Sequence, residues 1–193
     1  MWLRSIKGLI AAITLLFSFP AFAQNQISAD RPGIGSDADV VPLYTLQPEM
    51  GTYTKEIRFG IYKNTEIDKD DTSWGIKHNI SSTDKLKLSL KASYDENLGW
   101  VIEVPTQHNI NKYFYIGADA IISKTQKTYV AEFNITPTSR LTITNSLYYS
   151  GKPRLAIFAA WIPPKHDNVQ FDVGFDQKKL IIGISTDIDF KKK

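Results

Sequence analysis

Apolar and polar residues alternate with a period of two along most of the chain after residue 24. In Lys85–Tyr94 the even-numbered positions are apolar and the odd-numbered ones are polar. Tyr129–Ile135, Val169–Asp176 and Leu180–Phe190 alternate in the same way. This period places successive side chains on opposite faces of a β-strand. The pattern therefore predicts strands with one polar and one apolar face, and it gives almost no sign of amphipathic helices.

Clusters of Pro, Gly, Asn, Asp and Ser separate these runs, for example Gly151–Pro153 and Pro163–Asn168. They divide the chain into predicted strands near residues 44–53, 56–66, 72–80, 85–94, 98–107, 112–123, 127–136, 140–149, 154–162, 168–176 and 179–190. Bacterial outer-membrane barrels have an even number of strands. Because this division gives an odd number, we expect about 10–12 strands, with one short strand missed or one strand split.

Three features favour an antiparallel up-and-down transmembrane β-barrel within this all-β class. The predicted strands have the length of about 9–11 residues that a tilted membrane strand needs, whereas strands in soluble proteins have about five or six. The polar face is charged in strand after strand, as in a wet lumen. Aromatic residues such as Trp74, Trp100, Tyr148 and Tyr149 cluster near strand ends, as in membrane girdles. The alternative is a soluble periplasmic barrel of the lipocalin type, with its charges in bulk water.

Charged residues on the polar face are candidates for the wall of a lumen. The predicted lumen or pore residues are Asp30, Arg31, Glu49, Arg58, Lys77, Glu103, Asp119, Glu132, Asp172 and Asp187. Lys87 and Lys91 share that face. The segment Asp30–Pro32 allows two interpretations: Arg31 lies in the lumen against Glu49 or Asp172 and narrows the pore, or the segment is extended before its proline and faces water.

The first residues predict export. Arg4 and Lys7 precede an uncharged stretch from Gly8 to Ala23, and Ala21–Ala23 has the small-x-small pattern of a cleavage site. That stretch has 16 residues and contains a proline, and it is shorter than the roughly 20 residues that a membrane-spanning helix needs. We therefore predict a signal peptide over 1–23, cleaved after Ala23. The expected divisions that follow are an extended segment over 24–43 lying in the lumen or in water, a barrel over 44–190, and a lysine tail over 191–193.

Composition excludes several functions. Without Arg4 and Lys7 the 23 basic residues become 21, against 20 acidic ones, so the charge gives no reason to expect nucleic acid as a partner. The chain has no cysteine, which rules out disulfides and thiolate metal sites. The three histidines are scattered, and His78 with Ser81 and Ser82 is the single candidate for a hydrolase site. His78 has apolar-face parity, which argues against that site, and no pair of histidines has metal-binding spacing. We therefore expect no enzyme activity, no metal and no cofactor.

Five short motifs are shared with a known family, and they are Ser28–Gly33, Val40–Pro42, Gln47–Tyr53, Ile57–Gly60 and Gln170–Gly174. In these motifs the chain resembles the family named for the MetA pathway of phenol degradation, whose members are transporter-like outer-membrane barrels. This resemblance implies a barrel and the passage of small molecules, but it implies no phenol chemistry, because function does not follow from a fold.

The expected function is that of a narrow outer-membrane channel or transporter. Its expected partners are outer-membrane lipid, the barrel assembly machinery and a small-molecule solute. The alternatives that the sequence leaves open are a structural barrel without transport and the soluble binding barrel.

Overall fold

The computed structural model describes residues 36–53 and 55–191. The predicted signal peptide over 1–23, the charged pair Asp30 and Arg31, and the last two lysines lie outside the described residues. Within the described part no helix is long and apolar enough to cross a membrane.

The fold is a single antiparallel β-sheet that closes on itself. Its strands are β1 (Thr45–Gly51), β2 (Lys55–Tyr62), β3 (Thr65–Asp70), β4 (Ser73–Ser82), β5 (Leu86–Asp95), β6 (Gly99–Glu103), β7 (Thr106–Asn111), β8 (Phe114–Ser123), β9 (Lys127–Thr138), β10 (Leu141–Tyr149), β11 (Pro153–Trp161), β12 (Val169–Asp176), β13 (Lys179–Thr186) and β14 (Ile188–Asp189). Most strands pair with their neighbours in chain order, and the exceptions involve β6, β7, β13 and β14.

The first and last strands close the barrel. Glu49 of β1 lies opposite Ser185 of β13, and Leu46 of β1 lies opposite Ile188 of β14. Both β13 and β14 pair with β1, and both β6 and β7 pair with β5 and β8. Each of these two couples therefore forms one barrel strand with an interruption. The described residues thus make a closed barrel of 12 strands, which confirms the predicted fold class and the even count.

The single strand predicted over 56–66 is wrong. That region holds nearly all of β2 and the first two residues of β3, because the two strands form a hairpin around Lys63 and Asn64. Asn64 adopts a positive φ of 63°, which asparagine tolerates in tight turns. Apolar positions keep the same parity on both sides of this turn, so alternation alone did not reveal it. This hairpin is the reason for the odd number of strands expected from the sequence.

The two faces of the sheet have inverted polarity compared with a soluble protein. Large apolar side chains remain exposed on the outside, including Ile182 (56% exposed) and Trp100 (69%). The residues buried on the inner face are mostly polar or charged, and Glu49, Arg58 and Lys77 are 0% exposed. Soluble proteins seldom bury such groups and rarely expose such a continuous apolar surface. The outer surface is therefore suited to hydrocarbon and the interior to water and ions.

Aromatic side chains form bands on the outer surface. Trp74, Tyr94 and Trp100 lie side by side on β4, β5 and β6, and Tyr129 lies opposite Tyr149 on β9 and β10. Near the other end, Trp161 of β11 stacks on Phe171 of β12 with 6.2 Å between ring centroids. Girdles of this kind mark the two headgroup levels of a membrane barrel. Tyr148, which the sequence placed with the girdle residues, instead faces the interior and is 6% exposed.

Candidate functional site: the barrel interior

Arg58 is the centre of a buried ionic network on the inner face of β1–β4. Its Nε donates to Glu66 Oε1 at 3.0 Å, and its Nη1 donates to Gln47 Oε1 at 3.0 Å and to Glu49 Oε1 at 3.2 Å. Lys77 Nζ lies 3.0 Å from Glu66 Oε1, so Glu66 joins the two cations. These charges are removed from water, and burial of an unpaired charge has a high free-energy cost. Each charged group therefore depends on its partners in the network.

Lys91 extends the ionic network towards the end of the barrel away from the termini. Its Nζ lies 3.1 Å from Asp68 Oδ1 and 3.6 Å from Glu56 Oε1. Asp68 is 2% exposed, so its contact with Lys91 is shielded from solvent. All of these charged groups come from β1–β5, so this part of the wall has charges of both signs.

Residues 36–43, here called the inner segment, run along this same part of the wall. The carbonyl oxygen of Ala38 accepts hydrogen bonds from Asn79 Nδ2 at 2.9 Å and from Ser89 Oγ at 2.5 Å. Ser36 begins the described part of the segment, where its Oγ donates to Glu103 Oε2 at 2.7 Å and its backbone N–H donates to Asp119 Oδ2 at 3.2 Å. The inner segment therefore contacts interior side chains of β4, β5, β6 and β8.

The second half of the inner segment is held by the cations and carboxylates of the wall. Asp39 pairs with Lys87, and its carbonyl oxygen accepts a hydrogen bond from Arg58 Nη2 at 3.3 Å. The backbone N–H of Val41 donates to Glu66 Oε2 at 2.5 Å. Ala38 and Val41 are 2% and 1% exposed. Arg58 and Glu66 thus join the segment to the barrel wall.

Gly60 of β2 allows the backbone of the inner segment to pass close to the barrel wall where the segment leaves the interior. Leu43 pairs with Gly60 of β2 in a parallel bridge, and a Cβ added to Gly60 would collide with the carbonyl oxygen of Pro42. The backbone amide of Tyr44 donates to the carbonyl oxygen of Gly60 at 2.8 Å. Only glycine accommodates such a close backbone approach without displacement of the segment.

The interior of β8–β13 has acidic and neutral polar side chains. Ser146 Oγ donates to Glu132 Oε1 at 2.8 Å, and Thr144 Oγ1 donates to Asn134 Oδ1 at 2.5 Å. Asp172 is 4% exposed, and its carboxylate occupies the space over Gly183 of the next strand. This part of the wall offers carboxylates, hydroxyls and amides to whatever enters the lumen.

An apolar cluster lies inside the barrel near the end away from the termini. Val130, Tyr148, Ala156 and Phe158 pack together, with Ile121 and Ile181 against them. Tyr148 donates its hydroxyl to Asp176 Oδ1 at 2.7 Å. Sequence reasoning missed this cluster because Leu155–Trp161 is apolar at nearly every position, so parity could not separate the inner from the outer side chains. The cluster gives this end of the interior a partly apolar lining.

The structure places most of the sequence-predicted lumen residues on the inner face. They are buried or half-buried there, and they comprise Glu49, Arg58, Lys77, Glu103, Asp119, Glu132, Asp172 and Asp187. Asp30 and Arg31 lie outside the described residues, as does any contact of Arg31 with Glu49 or Asp172. The sequence did not single out Gln47, Glu66, Asp68, Asn79 and Ser89. All of them except Asp68, which lies between two predicted strands, have the polar parity of a predicted strand.

The histidine considered as a hydrolase candidate faces outward. His78 is exposed on β4, and its Nδ1 lies 2.9 Å from Thr65 Oγ1 of β3. Among the described residues no group of three His, Asp or Glu side chains has the arrangement of a metal site. The charged interior is therefore the candidate functional site of this chain.

Comparison with known proteins identifies the fold. No family model and no curated protein matches the chain. KdgM porin covers 76% of this chain and 98% of its own length at 11% identity, with a TM-score of 0.52. The KdgM porin structure in complex with disordered oligogalacturonate covers the same shares at 10% identity, with a TM-score of 0.51. A triple mutant of Rhodopseudomonas blastica porin covers 70% of this chain and 55% of its own at 12% identity and a TM-score of 0.45.

At this level of identity the likeness to KdgM porin concerns the fold. It confirms the coarser part of the family resemblance, a barrel like those of outer-membrane porins. Membership of the MetA-pathway family stays a prediction, because no family model matches.

Proposed function

We propose that this chain is a barrel of the bacterial outer membrane that acts as a narrow channel or transporter for small molecules. The observation that carries the proposal is the inverted polarity of the closed 12-strand barrel. Its outer face has exposed Ile, Leu, Trp and Tyr side chains, and its inner face has buried charges. A closed barrel satisfies every backbone hydrogen bond inside a membrane, and a soluble lipocalin-type barrel has the opposite polarity.

The interior supports a narrow path rather than an open pore. Barrels of about eight strands are filled by side chains, whereas barrels of 16–18 strands enclose an aqueous channel. This barrel lies between the two, and the inner segment takes part of its cross-section. We assign the lining of the path to the predicted lumen residues, including Asp30 and Arg31. Export by a signal peptide over 1–23 and insertion by the barrel assembly machinery belong to the same proposal.

The similar proteins support a small-molecule cargo. KdgM porin is described in complex with oligogalacturonate, which is a property of that protein. The resemblance to the MetA-pathway family points to the same general role, and we propose that the chain is a member. A second candidate function, a structural barrel without transport, is favoured by the close hydrogen bonding of the inner segment to the wall.

Conductance across a planar bilayer tests the proposal. Protein refolded in detergent should show discrete current steps and a heat-modifiable gel mobility, and the protein in cells should fractionate with the outer membrane. A folded, membrane-located protein that gives neither current nor solute flux would establish the structural alternative. Recovery in the soluble fraction without detergent would overturn both membrane functions.

A further inference from the structure

Acidic side chains outnumber basic ones in the interior of the described barrel. Away from the strand ends, eleven acids face inward, and they are Asp37, Asp39, Glu49, Glu56, Glu66, Asp68, Glu103, Asp119, Glu132, Asp172 and Asp187. Five bases do so, and they are Arg58, Lys77, Lys87, Lys91 and Arg154. The interior of the described residues therefore has a clear negative excess.

This excess comes from position and not from composition. The whole chain has 23 basic and 20 acidic residues, so the bases lie mainly outside the lumen. Many of them occupy turns at the end away from the termini, such as Lys124, Lys152 and Lys178. Residues 24–35 contain one acid and one base, Asp30 and Arg31, so they add nothing to the net charge.

The negative excess is also unevenly distributed around the barrel. Four of the five inward bases belong to β2, β4 and β5, where they pair with Glu49, Glu56, Glu66, Asp68 and Asp39. Five further acids, Glu103, Asp119, Glu132, Asp172 and Asp187, belong to the wall from β6 onward. In the described part of that wall the inward positions between the strand ends contain one base, Arg154, which is exposed near the end away from the termini and lies over the ring of Tyr148. We call the five acids the acidic wall.

Neutral polar side chains lie beside the acidic wall, and their oxygen atoms are suited to a cation that has lost part of its hydration shell. Asn134, Thr144, Ser146, Gln170 and Ser185 are each no more than 6% exposed on β9, β10, β12 and β13. Their hydroxyl and amide oxygens, like the carboxylates, replace water around a cation. Rings of Asp and Glu are the usual determinant of cation preference in channels. A low-dielectric wall also strengthens the field of these charges inside the lumen.

Lysines at the rim act against this preference only weakly. They are exposed to solvent, and at physiological ionic strength the Debye length is about 8 Å. Charges lining a confined lumen are screened much less. The acidic wall should therefore dominate over the rim in deciding which ions pass.

We propose that the lumen selects for cations and for cationic or neutral small solutes over anions and polyanions. The inference rests on the proposed channel function, and it names the class of solute for the same site. It sets this chain apart from a barrel that accommodates a polyanion such as oligogalacturonate.

Reversal potentials in planar bilayers test the inference. With a tenfold KCl gradient across the membrane, the reversal potential should have the same sign as the equilibrium potential of K⁺. A reversal at zero, or one of the sign set by Cl⁻, would overturn the inference and leave the channel function standing. Absence of any current would overturn the channel function instead, so the two failures are distinguishable.

A double variant, Glu132→Gln with Asp172→Asn, tests the acidic wall itself. Both substitutions keep the size of the side chain and remove its charge, so the reversal potential should move towards zero. The matched control is Asp84→Asn with Asp167→Asn, which neutralises two exposed turn acids and should leave the potential unchanged. Heat-modifiable mobility verifies folding of each variant. If the double variant does not fold, the half-buried Glu132→Gln alone is measured, and unchanged selectivity in a folded variant would contradict the assignment.

Discussion

Arg58 shows how strongly one interior residue depends on its partners. Its guanidinium contacts Glu49, Glu66 and Gln47, and Arg58, Glu49 and Glu66 are at most 1% exposed. Removal of one member of a buried ion pair leaves a charge without its counterion in a low dielectric, which costs about 3–5 kcal/mol. The network therefore keeps its members in place even though forming it adds little net stability.

We expect Arg58→Ala to destabilise the folded barrel by about 3–5 kcal/mol. The measurement is the urea concentration at which half of the refolded protein is unfolded, and the loss of heat-modifiable gel mobility reports the unfolding. Arg140→Ala is the matched control, because Arg140 pairs with Asp167 at the surface with side chains 32% and 63% exposed. Such exposed pairs contribute about 0–1 kcal/mol. Equal midpoints for the two variants would show that Arg58 is not held by its partners.

At this scale the sequence revealed the face of each residue but not its partners. Parity placed Glu49, Arg58 and Lys77 together on the polar face, and all three are buried inside. The pairing of Arg58 with Glu66 was hidden, because both fell in one predicted strand, where they cannot face each other. The turn at Lys63 and Asn64 brings Glu66 back beside Arg58, and the periodicity on either side of the turn gave no sign of it.

Among the structural elements, the inner segment depends on contacts that no local pattern could predict. Ser36 reaches Asp119, and Ala38 reaches Ser89, so each contact joins distant parts of the sequence. Residues 36–43 have neither helical nor strand periodicity. The sequence therefore allowed two placements of the segment, in the lumen or in water. Strands such as Leu86–Asp95, by contrast, were predicted to within a residue from alternation alone.

We expect a double variant, Asn79→Ala with Ser89→Ala, to loosen the inner segment. It removes both side-chain donors to the carbonyl oxygen of Ala38, each worth about 0.5–1.5 kcal/mol. Single-channel recordings should show a larger or more frequent open state. The control, Thr65→Ala with His78→Ala, removes an exposed hydrogen bond on the outside of β3 and β4 and should leave the current unchanged. An identical current in both variants would mean that the segment does not obstruct the path.

At the scale of the whole molecule, the apolar outer face defines the surroundings that the barrel needs. Ile157 lies near the middle of β11 and is 47% exposed on this face, while Tyr149 ends β10. A charge at the bilayer midplane costs about 2–4 kcal/mol for Arg or Lys, and about 0–1 kcal/mol near the interface. Depth along a strand should therefore govern how well a charged substitution is tolerated.

We expect Ile157→Arg to lower the stability of the barrel in phospholipid vesicles by about 2–4 kcal/mol. Tyr149→Arg, on the neighbouring strand at the level of the aromatic band, should cost no more than about 1 kcal/mol. Guanidine titrations of both variants in the same vesicles measure the difference. Similar costs at the two depths would contradict the placement of the membrane around the barrel.

The closing contact between β1 and the last two strands has a consequence for biogenesis. Thr45 lies opposite Asp189 and Glu49 lies opposite Ser185, so the seam joins residues far apart in the sequence. Until residues 183–189 have been delivered, an incomplete sheet has two unpaired edges, and such edges template aggregation. Long-range pairing of this kind is also slow. The sheet therefore cannot close until its last strand reaches β1, and both of its edges stay unpaired until the two ends of the barrel meet.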